Sequence, residues 1–251
     1  MKRCFLTIAL LAGLFPGIFL PADAQNAELP LPPTGAVPEG LPNLNGVWMG
    51  ASILGEGAVR QALGGELPPF TPYGRERWDN RDLARDPTGF CQPSGPGRVL
   101  HSPMWYQIIQ TEGQLTMLFE IYHQFHRIFT DGRTHPEPLD ITWWGSSIGR
   151  YEGSRLIVET VGLDERSWLF TAGINHSEQL RLTWVLEKTA PDTIHVTETF
   201  EDPTFFSEPF SVTYDLERAP YDIMEMICSD NNRDAQFFVT GTGDVTHAPS
   251  Q

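Results

Sequence analysis

The chain has few cysteines, few basic residues and no long apolar segment beyond its first twenty residues. Of its 251 residues, 17 are lysine or arginine and 32 are aspartate or glutamate, which gives a formal net charge of −15. This excess of negative charge repels phosphate backbones and anionic lipid surfaces at long range. We therefore expect no nucleic-acid partner, and no stable membrane insertion once an N-terminal signal is removed.

The sequence also lacks the motifs of nucleotide chemistry. It contains no G-x-S-x-G, no P-loop and no dinucleotide fingerprint. The glycines at Gly64-Gly65, and at Gly149 with Gly153, are typical of ordinary turns. We therefore expect any chemistry to proceed without a cofactor.

The N-terminal stretch has the pattern of a cleavable secretory signal peptide. Lys2 and Arg3 precede an apolar run from Phe5 to Leu20, and the small-x-small triplet Ala22-Asp23-Ala24 follows. The apolar run covers about 16 residues, whereas a membrane span needs about 20. We expect cleavage after Ala24 and a periplasmic or secreted mature protein, with an uncleaved anchor as the alternative.

The mature chain is predicted to have two parts. Residues 25–43 carry five prolines and few large apolar groups, which is typical of an extended leader. Residues 44–251 are predicted to form a single β domain that is long enough to bury a substantial core.

Cys91 and Cys228 are the cysteines that remain after signal removal. In an oxidising compartment an isolated pair is more often a disulfide than a metal site or a nucleophile. The predicted bridge would tie the Pro/Gly-rich loop of residues 86–98 to the C-terminal segment.

The mature sequence predicts one short helix followed by many strands. Thr71 is a suitable N-cap, Pro72 suits the first helical position, and the helix is predicted to run from Tyr73 to Arg85. Short β-rich runs then alternate with turn residues at hairpin spacing, over residues 105–110, 115–122, 125–130, 147–151, 155–161, 179–188, 193–200 and 210–217. The pattern favours a mainly β fold with one short N-terminal helix, an antiparallel meander closed into a barrel or barrel-like sandwich, whose interior is large enough for one small ligand.

Alternation within the strands predicts acidic groups on the inward face. Glu198 lies on the apolar face of residues 193–200, and the parity of Leu180, extended backwards, places Glu178 and His176 on the same side. A carboxylate inside a barrel is costly unless it is paired, and burial raises the pKa of a carboxylic acid toward the range useful for proton transfer. These three residues are therefore candidates for acid–base chemistry. The alternative for Glu198 is a position at a strand end or a structural bridge to an arginine.

The segment from Arg127 to Pro136 packs charged groups around a glycine turn. Asp131-Gly132 is a turn signal, so Asp131 either shapes the turn or contacts a substrate. Arg127 and Arg133 would bind a substrate carboxylate or pair with internal carboxylates. His135 precedes a proline and is held extended, which either aims its imidazole at a substrate or leaves it on a surface loop.

Three aromatic residues are candidates for substrate binding. Trp143, Trp144 and Tyr151 are expected either in the core and barrel rim, or stacked on an aromatic or sugar ligand.

The histidines do not predict a metal site. His123 and His126 form an H-x-x-H, but on a strand or tight turn this spacing sends the two side chains in different directions, and no third ligand follows at zinc-like spacing. No metal is therefore expected. The ligands of any metal site would have to come from His123, His126, His135, His176 and Glu178.

Three strings together resemble an uncharacterised family of exported bacterial proteins. They are residues 129–136 (FTDGRTHP), 142–153 (TWWGSSIGRYEG) and 176–178 (HSE), and the similarity spans most of residues 44–234. Family members usually carry tryptophan where Tyr151 stands. The resemblance implies that the loop from Asp131 to His135 and the His176/Glu178 pair belong to a recurring unit, and it implies no particular reaction. The Gly46-Val47-Trp48 triplet is similar to the G-x-W motif of lipocalin-type barrels, which implies the same kind of barrel.

Three functions are compatible with these features. The first is a cofactor-independent lyase, isomerase, dehydratase or hydrolase that holds a small organic molecule in its cavity. Glu198 or Glu178 would be its base, and His176 or His135 would be its acid. Arg133 or Arg127 would anchor the substrate. This hypothesis requires His176, Glu178 and the Asp131 loop to converge on one cavity. The second function is a periplasmic carrier of an apolar or aromatic ligand, and the third is a structural protein of the envelope.

Overall fold

Nine strands form a closed barrel in a computed structural model, which describes residues 37–230. The predicted signal peptide and most of the leader lie outside the described residues. In chain order the strands are β1 (Gly46–Met49), β2 (Trp105–Thr111), β3 (Gln114–Phe119), β4 (Phe125–Phe129), β5 (Ser146–Glu152), β6 (Arg155–Val161), β7 (Arg181–Ala190), β8 (Thr193–Glu201) and β9 (Phe210–Arg218). The prediction of a mainly β, lipocalin-like barrel is confirmed.

Each strand pairs with its sequence neighbours, and β1 closes the barrel against β9 through Trp48 opposite Arg218. All of these pairs are antiparallel except β4 and β5, which meet in parallel with Phe129 opposite Ile148. A parallel pair cannot be joined by a hairpin, because the chain must return to the end of the barrel from which it started. Residues 130–145 make this return, which the predicted meander did not include.

The strands form where the sequence alternates between apolar and polar residues. On β9, Phe210, Val212, Tyr214 and Leu216 are buried while the residues between them are exposed. Most strand ends lie within two residues of their predicted positions, and β3 is the main exception. It ends at Phe119 rather than Tyr122, because Tyr122 has a left-handed backbone with φ of 60° that a strand cannot accommodate.

Residues 37–230 also contain three α-helices: α1 (Gly55–Ala62), α2 (Pro72–Asp79) and α3 (Pro96–Val99). The helix predicted from the sequence is α2, and Thr71 caps it as expected by accepting a hydrogen bond of 3.0 Å from the backbone of Gly74. It ends at Asp79 rather than Arg85 because Asp82 starts a separate 3-10 turn by accepting from the backbone of Ala84. None of the helices in residues 37–230 is long and apolar enough to cross a membrane.

Cys91 and Cys228 are joined by a disulfide, as the sequence predicts. Their Cα atoms lie 5.6 Å apart although 137 positions separate them in the chain. The bond fastens the loop before α3 to the segment that follows β9.

Candidate functional site

Glu198 lies in the interior of the barrel, where none of its side chain is exposed to solvent. β8 places it on the inward face, opposite Trp184 of β7 and Val212 of β9. The inward position expected from alternation is therefore observed, and the alternative position at a strand end is not.

Three donors surround the carboxylate of Glu198. The indole Nε1 of Trp184 donates to Oε1 at 3.0 Å, and the hydroxyl of Tyr214 donates to Oε2 at 3.0 Å. Nδ1 of His101 lies 3.0 Å from Oε2. Because a carboxylate oxygen accepts, Nδ1 of His101 carries its hydrogen. These contacts replace the water that burial removes from the carboxylate.

Two polar atoms beside this carboxylate have no hydrogen-bond partner in the described part of the chain. They are the hydroxyl of Tyr106 and Nε2 of His101, and both are buried. With hydrogen on Nδ1, a neutral His101 presents a lone pair on Nε2, whereas the Tyr106 hydroxyl can donate. Leaving such a group buried and unsatisfied costs roughly 1–3 kcal/mol. A donor at Nε2 of His101 and an acceptor at the Tyr106 hydroxyl would satisfy these two atoms.

The two tyrosines of the cluster remain protonated at neutral pH. Burial raises the pKa values of Tyr106 and Tyr214 well above the ordinary phenol value, and the charge of Glu198 raises them further. Both hydroxyls are therefore donors, Tyr214 toward Glu198 and Tyr106 toward a group that the described residues do not supply. We refer to Glu198, His101, Tyr106, Tyr214 and Trp184 as the Glu198 cluster.

A continuous set of aromatic contacts links the two sides of the Glu198 cluster. Centroid distances of 5.1–6.0 Å join the rings in the order Trp184, His126, Trp144, Phe119 and Tyr106. Burial lowers the pKa of His126 to about 3, so its imidazole is neutral. The polar cluster therefore borders a predominantly aromatic wall.

Of this cluster the sequence analysis identified only Glu198, and it missed His101, Tyr106, Tyr214 and Trp184. His101 had no signal by which it could be found. It lies before β2, outside any alternating segment, and is held by stacking on Phe170 at 4.5 Å and by its carbonyl, which accepts from the backbone of Ile53. No periodic signal marks such a residue. Tyr106 does have one, because it alternates with Ile108 on the inward face of β2.

His176 and Glu178 do not join the Glu198 cluster. His176 is buried outside the barrel strands, with Nε2 2.8 Å from Oγ of Ser167. Glu178 is exposed in a turn. The prediction that it faces inward is wrong because β7 begins only at Arg181, and strand parity does not extend through a turn.

Asp131 lies at the other end of the barrel from His176. Thr130 donates its backbone N–H to Gly113 in the β2–β3 turn, at the end where β8 begins. His176 instead precedes β7, at the end where β8 finishes. The predicted convergence of His176, Glu178 and the Asp131 loop on one cavity is therefore wrong.

Arg133 of this loop and Arg127 of β4 do not enter the barrel. Arg133 forms an exposed ion pair with Asp131 at 2.6 Å, and Arg127 is exposed with its guanidinium 5.4 Å from the ring of Phe129. Neither arginine contacts Glu198, because both side chains point away from the interior.

His135 fastens the return segment to the outer face of the barrel. Its Nδ1 lies 3.0 Å from Oγ of Ser146 and its Nε2 lies 3.2 Å from Oε1 of Glu159. These contacts give His135 a structural position on the outside of β5 and β6.

The three aromatic candidates have separate positions. Trp144 belongs to the aromatic wall, and its Nε1 donates to Gln124 at 3.1 Å. Tyr151 faces inward on β5, where its hydroxyl accepts from Nε2 of Gln110 at 2.8 Å. Trp143 lies outside the barrel, 5.0 Å from the guanidinium of Arg166.

A groove of about 1240 Å³ runs along the outside of the molecule. α2 and the segments around Trp143 and His176 line it, with aromatic and arginine side chains on its walls. Within residues 37–230 no group of three or more His, Cys, Asp or Glu side chains is arranged to hold a metal ion.

Comparison of the chain with protein-family models, with curated proteins and with solved structures finds no match.

Proposed function

We propose that this protein is an exported enzyme that acts on a small organic molecule inside its barrel by cofactor-independent acid–base chemistry. Because His176, Glu178 and the Asp131 loop do not share a cavity, the proposal is based on the Glu198 cluster instead of those groups, and one observation carries it. Glu198 is a fully buried carboxylate held by three donors, and two buried polar atoms beside it have no partner in residues 37–230. Buried polar groups with perturbed pKa values, such as Tyr106 and Tyr214, are typical of active sites.

The roles follow from the hydrogen bonds. Nε2 of His101 takes a proton from the substrate, and Glu198 stabilises the resulting imidazolium through Nδ1. The hydroxyl of Tyr106 donates to the substrate oxygen on which negative charge develops. Return of the proton from His101 to another atom of the substrate completes the reaction. This sequence fits an isomerase, lyase or dehydratase that removes a proton next to a carbonyl group.

The surroundings of the cluster limit the substrate. The aromatic wall favours an apolar or aromatic body, and the unpartnered donor and acceptor favour one polar oxygen group.

A carrier of an aromatic ligand is the second candidate, because the same wall would hold such a ligand without chemistry. In that case Tyr106 and His101 only orient the bound molecule. Turnover distinguishes the two functions.

The test is an untargeted metabolite screen of the purified protein. Wild type is compared with Glu198→Gln and with Glu201→Gln, a matched change at an exposed carboxylate on the same strand. The enzyme proposal predicts that wild type and Glu201→Gln convert the same metabolite and that Glu198→Gln is at least about 100-fold slower. If wild type retains a metabolite without converting it, the carrier function is supported. If the metabolite profiles of the three proteins are identical, both functions are excluded.

Export is tested separately. N-terminal sequencing of protein recovered from the periplasm or culture medium is expected to begin at Gln25. Recovery of the full-length chain only from the cytoplasm would contradict this part of the proposal.

A further inference from the structure

The external groove is not used by the site inside the barrel. It has a volume of about 1240 Å³, and most of its lining comes from α2, residues 80–92, Trp143 and residues 165–176. We infer that this groove is a binding site for a neutral oligosaccharide. The inference does not depend on the Glu198 cluster.

One wall of the groove is a polar stripe of α2. The positions i, i+3, i+4 and i+7 lie on one side of a helix, and here they are Tyr73, Glu76, Arg77 and Asn80. The opposite side of the helix buries Trp78. The ring of Tyr73 packs edge-on against Phe205 at a centroid distance of 5.2 Å, which fixes its position. The helix therefore offers a hydroxyl, a carboxylate, a guanidinium and an amide to a ligand in the groove.

Residues 165–176 supply a tryptophan whose polar atom has no partner. Trp168 keeps only 8 % of its surface exposed, yet it lines the groove. Its indole N–H has no hydrogen-bond partner among residues 37–230 and is not closed off from solvent. The side-chain amide of Asn175, also in the lining, has no partner there either. Because a largely buried indole usually donates its N–H, this donor indicates a ligand that places an acceptor in the groove.

Trp143 supplies an aromatic face in the same groove. Its ring is half-buried, and the guanidinium of Arg166 lies 5.0 Å from the ring centroid. Asp164 holds this guanidinium in an ion pair. Trp143 is therefore available for stacking, whereas Trp168 is available as a hydrogen-bond donor.

The charges that line the groove nearly cancel. Four arginines and three acidic residues line it, whereas the whole chain has a formal net charge of −15. Arg81 pairs with Glu56 at 2.9 Å. Arg85 pairs with Asp82 at 3.5 Å. The chain as a whole repels a strongly anionic ligand, and the paired arginines do little to attract one. The groove therefore suits a neutral ligand that both donates and accepts hydrogen bonds.

A saccharide fits these groups better than a peptide does. Each sugar hydroxyl both donates and accepts, which matches the mixture of carboxylates, guanidinium groups and amides, and the C–H face of a sugar ring stacks on an indole. An extended peptide commonly binds by adding to a strand edge, but all nine strands of the described barrel are paired on both sides. The volume of the groove also exceeds the roughly 300–1000 Å³ of typical small-molecule pockets, which favours an oligomer of several sugar units.

A hydrogen-bond network holds the tryptophan wall in place. The hydroxyl of Ser167 donates to the backbone carbonyl of Asp164 at 3.0 Å and lies 2.8 Å from Nε2 of His176. The next residue, Ser177, is held by the buried Asp202, whose carboxylate accepts from its backbone N–H at 2.6 Å and from its hydroxyl at 2.9 Å. A wall that is already ordered loses little conformational entropy when a ligand binds.

The first test is a microarray that carries neutral glycans, acidic glycans and unrelated peptides, probed with the wild-type mature protein. Binding to neutral oligosaccharides is expected. Binding to acidic glycans alone, to peptides alone or to nothing on the array would overturn the inference. This readout uses wild type only, so it does not require any variant to fold.

Calorimetric titration with the neutral oligosaccharide that gives the strongest array signal then locates the site. Trp143→Ala removes the stacking face and is expected to weaken binding at least about 10-fold. Trp168→Phe keeps an aromatic ring and removes the N–H, and it is expected to weaken binding about 3- to 10-fold. Trp105→Ala is the control and should bind like wild type, because Trp105 is a half-buried tryptophan that packs on Tyr221 at 4.7 Å and does not line the groove. Wild-type affinity in both Trp143→Ala and Trp168→Phe would contradict the assignment to the groove.

Discussion

Removing the hydroxyl of Tyr106 is expected to disable the site without weakening the fold. In the described structure this hydroxyl is buried and has no hydrogen-bond partner, while the ring packs against Phe119 at 5.4 Å. Tyr106→Phe keeps the ring and removes only the unsatisfied group. Because such a group costs roughly 1–3 kcal/mol when buried, the substitution should leave the free energy of unfolding unchanged or raise it by about 1 kcal/mol.

Tyr214→Phe is the matched comparison, because it removes a hydroxyl from the same core. Here the hydroxyl donates to Glu198 at 3.0 Å, and its loss leaves the buried carboxylate with one donor fewer. A hydrogen bond to a charged group is worth about 1.5–3 kcal/mol, so Tyr214→Phe should lower the free energy of unfolding by that amount. The two substitutions have the same chemistry and are predicted to have opposite or clearly different effects.

The assay is equilibrium unfolding in urea, followed by tryptophan fluorescence, together with thermal unfolding. For a chain of this size 1 kcal/mol corresponds to roughly 2–4 °C in Tm. Equal destabilisation by the two substitutions would show that the Tyr106 hydroxyl has a structural partner, such as a bound water. That result would refute the argument that its donor is kept for a ligand.

Three further predictions concern stability. Because burial lowers the pKa of His126 to about 3, the unfolded chain binds a proton near pH 6.5 while the native protein does not. The contribution of His126 to the free energy of unfolding is therefore complete above about pH 6.5 and falls as the pH is lowered toward 3, with about 2 kcal/mol lost at pH 5. In His126→Gln this loss between pH 7 and pH 5 should be absent from urea titrations. Replacing Cys91 and Cys228 together by serine should lower the free energy of unfolding by about 4–5 kcal/mol in urea titrations under oxidising conditions, because the unfolded chain is then no longer restricted by the bridge. A loss below about 1 kcal/mol would contradict this explanation. Asp202→Ala should cost roughly 3 kcal/mol by the same measurement, because it leaves buried backbone N–H groups without an acceptor.

Alternation in the sequence predicts most of the barrel. Strand β6 has the predicted bounds Arg155–Val161, and the inward position of Glu198 follows from its apolar neighbours on β8. These predictions succeed because a strand with one buried face imposes a period of two on the sequence. The disulfide also follows from composition, since Cys91 and Cys228 are the only cysteines outside the predicted signal peptide.

Predictions for residues outside the strands are less successful. His101 enters the cluster from an irregular segment, where its position depends on stacking against Phe170 rather than on any local pattern. Glu178 was assigned by extending strand parity into a turn. The return segment after β4 separates the Asp131 loop from His176, and such a crossover is determined by tertiary contacts that a single sequence does not encode in its periodicity.

The account depends most on the claim that the Glu198 cluster acts on a substrate rather than only stabilising the core. Tyr106→Phe tests it most directly, because this change should preserve the fold while removing the donor that faces the substrate. The measurement is the rate at which wild type and Tyr106→Phe deplete the same metabolite in the untargeted screen. The account predicts conversion by wild type and a loss of about 100-fold or more in the variant, with stability equal to or above wild type. Equal rates in the two proteins would contradict it.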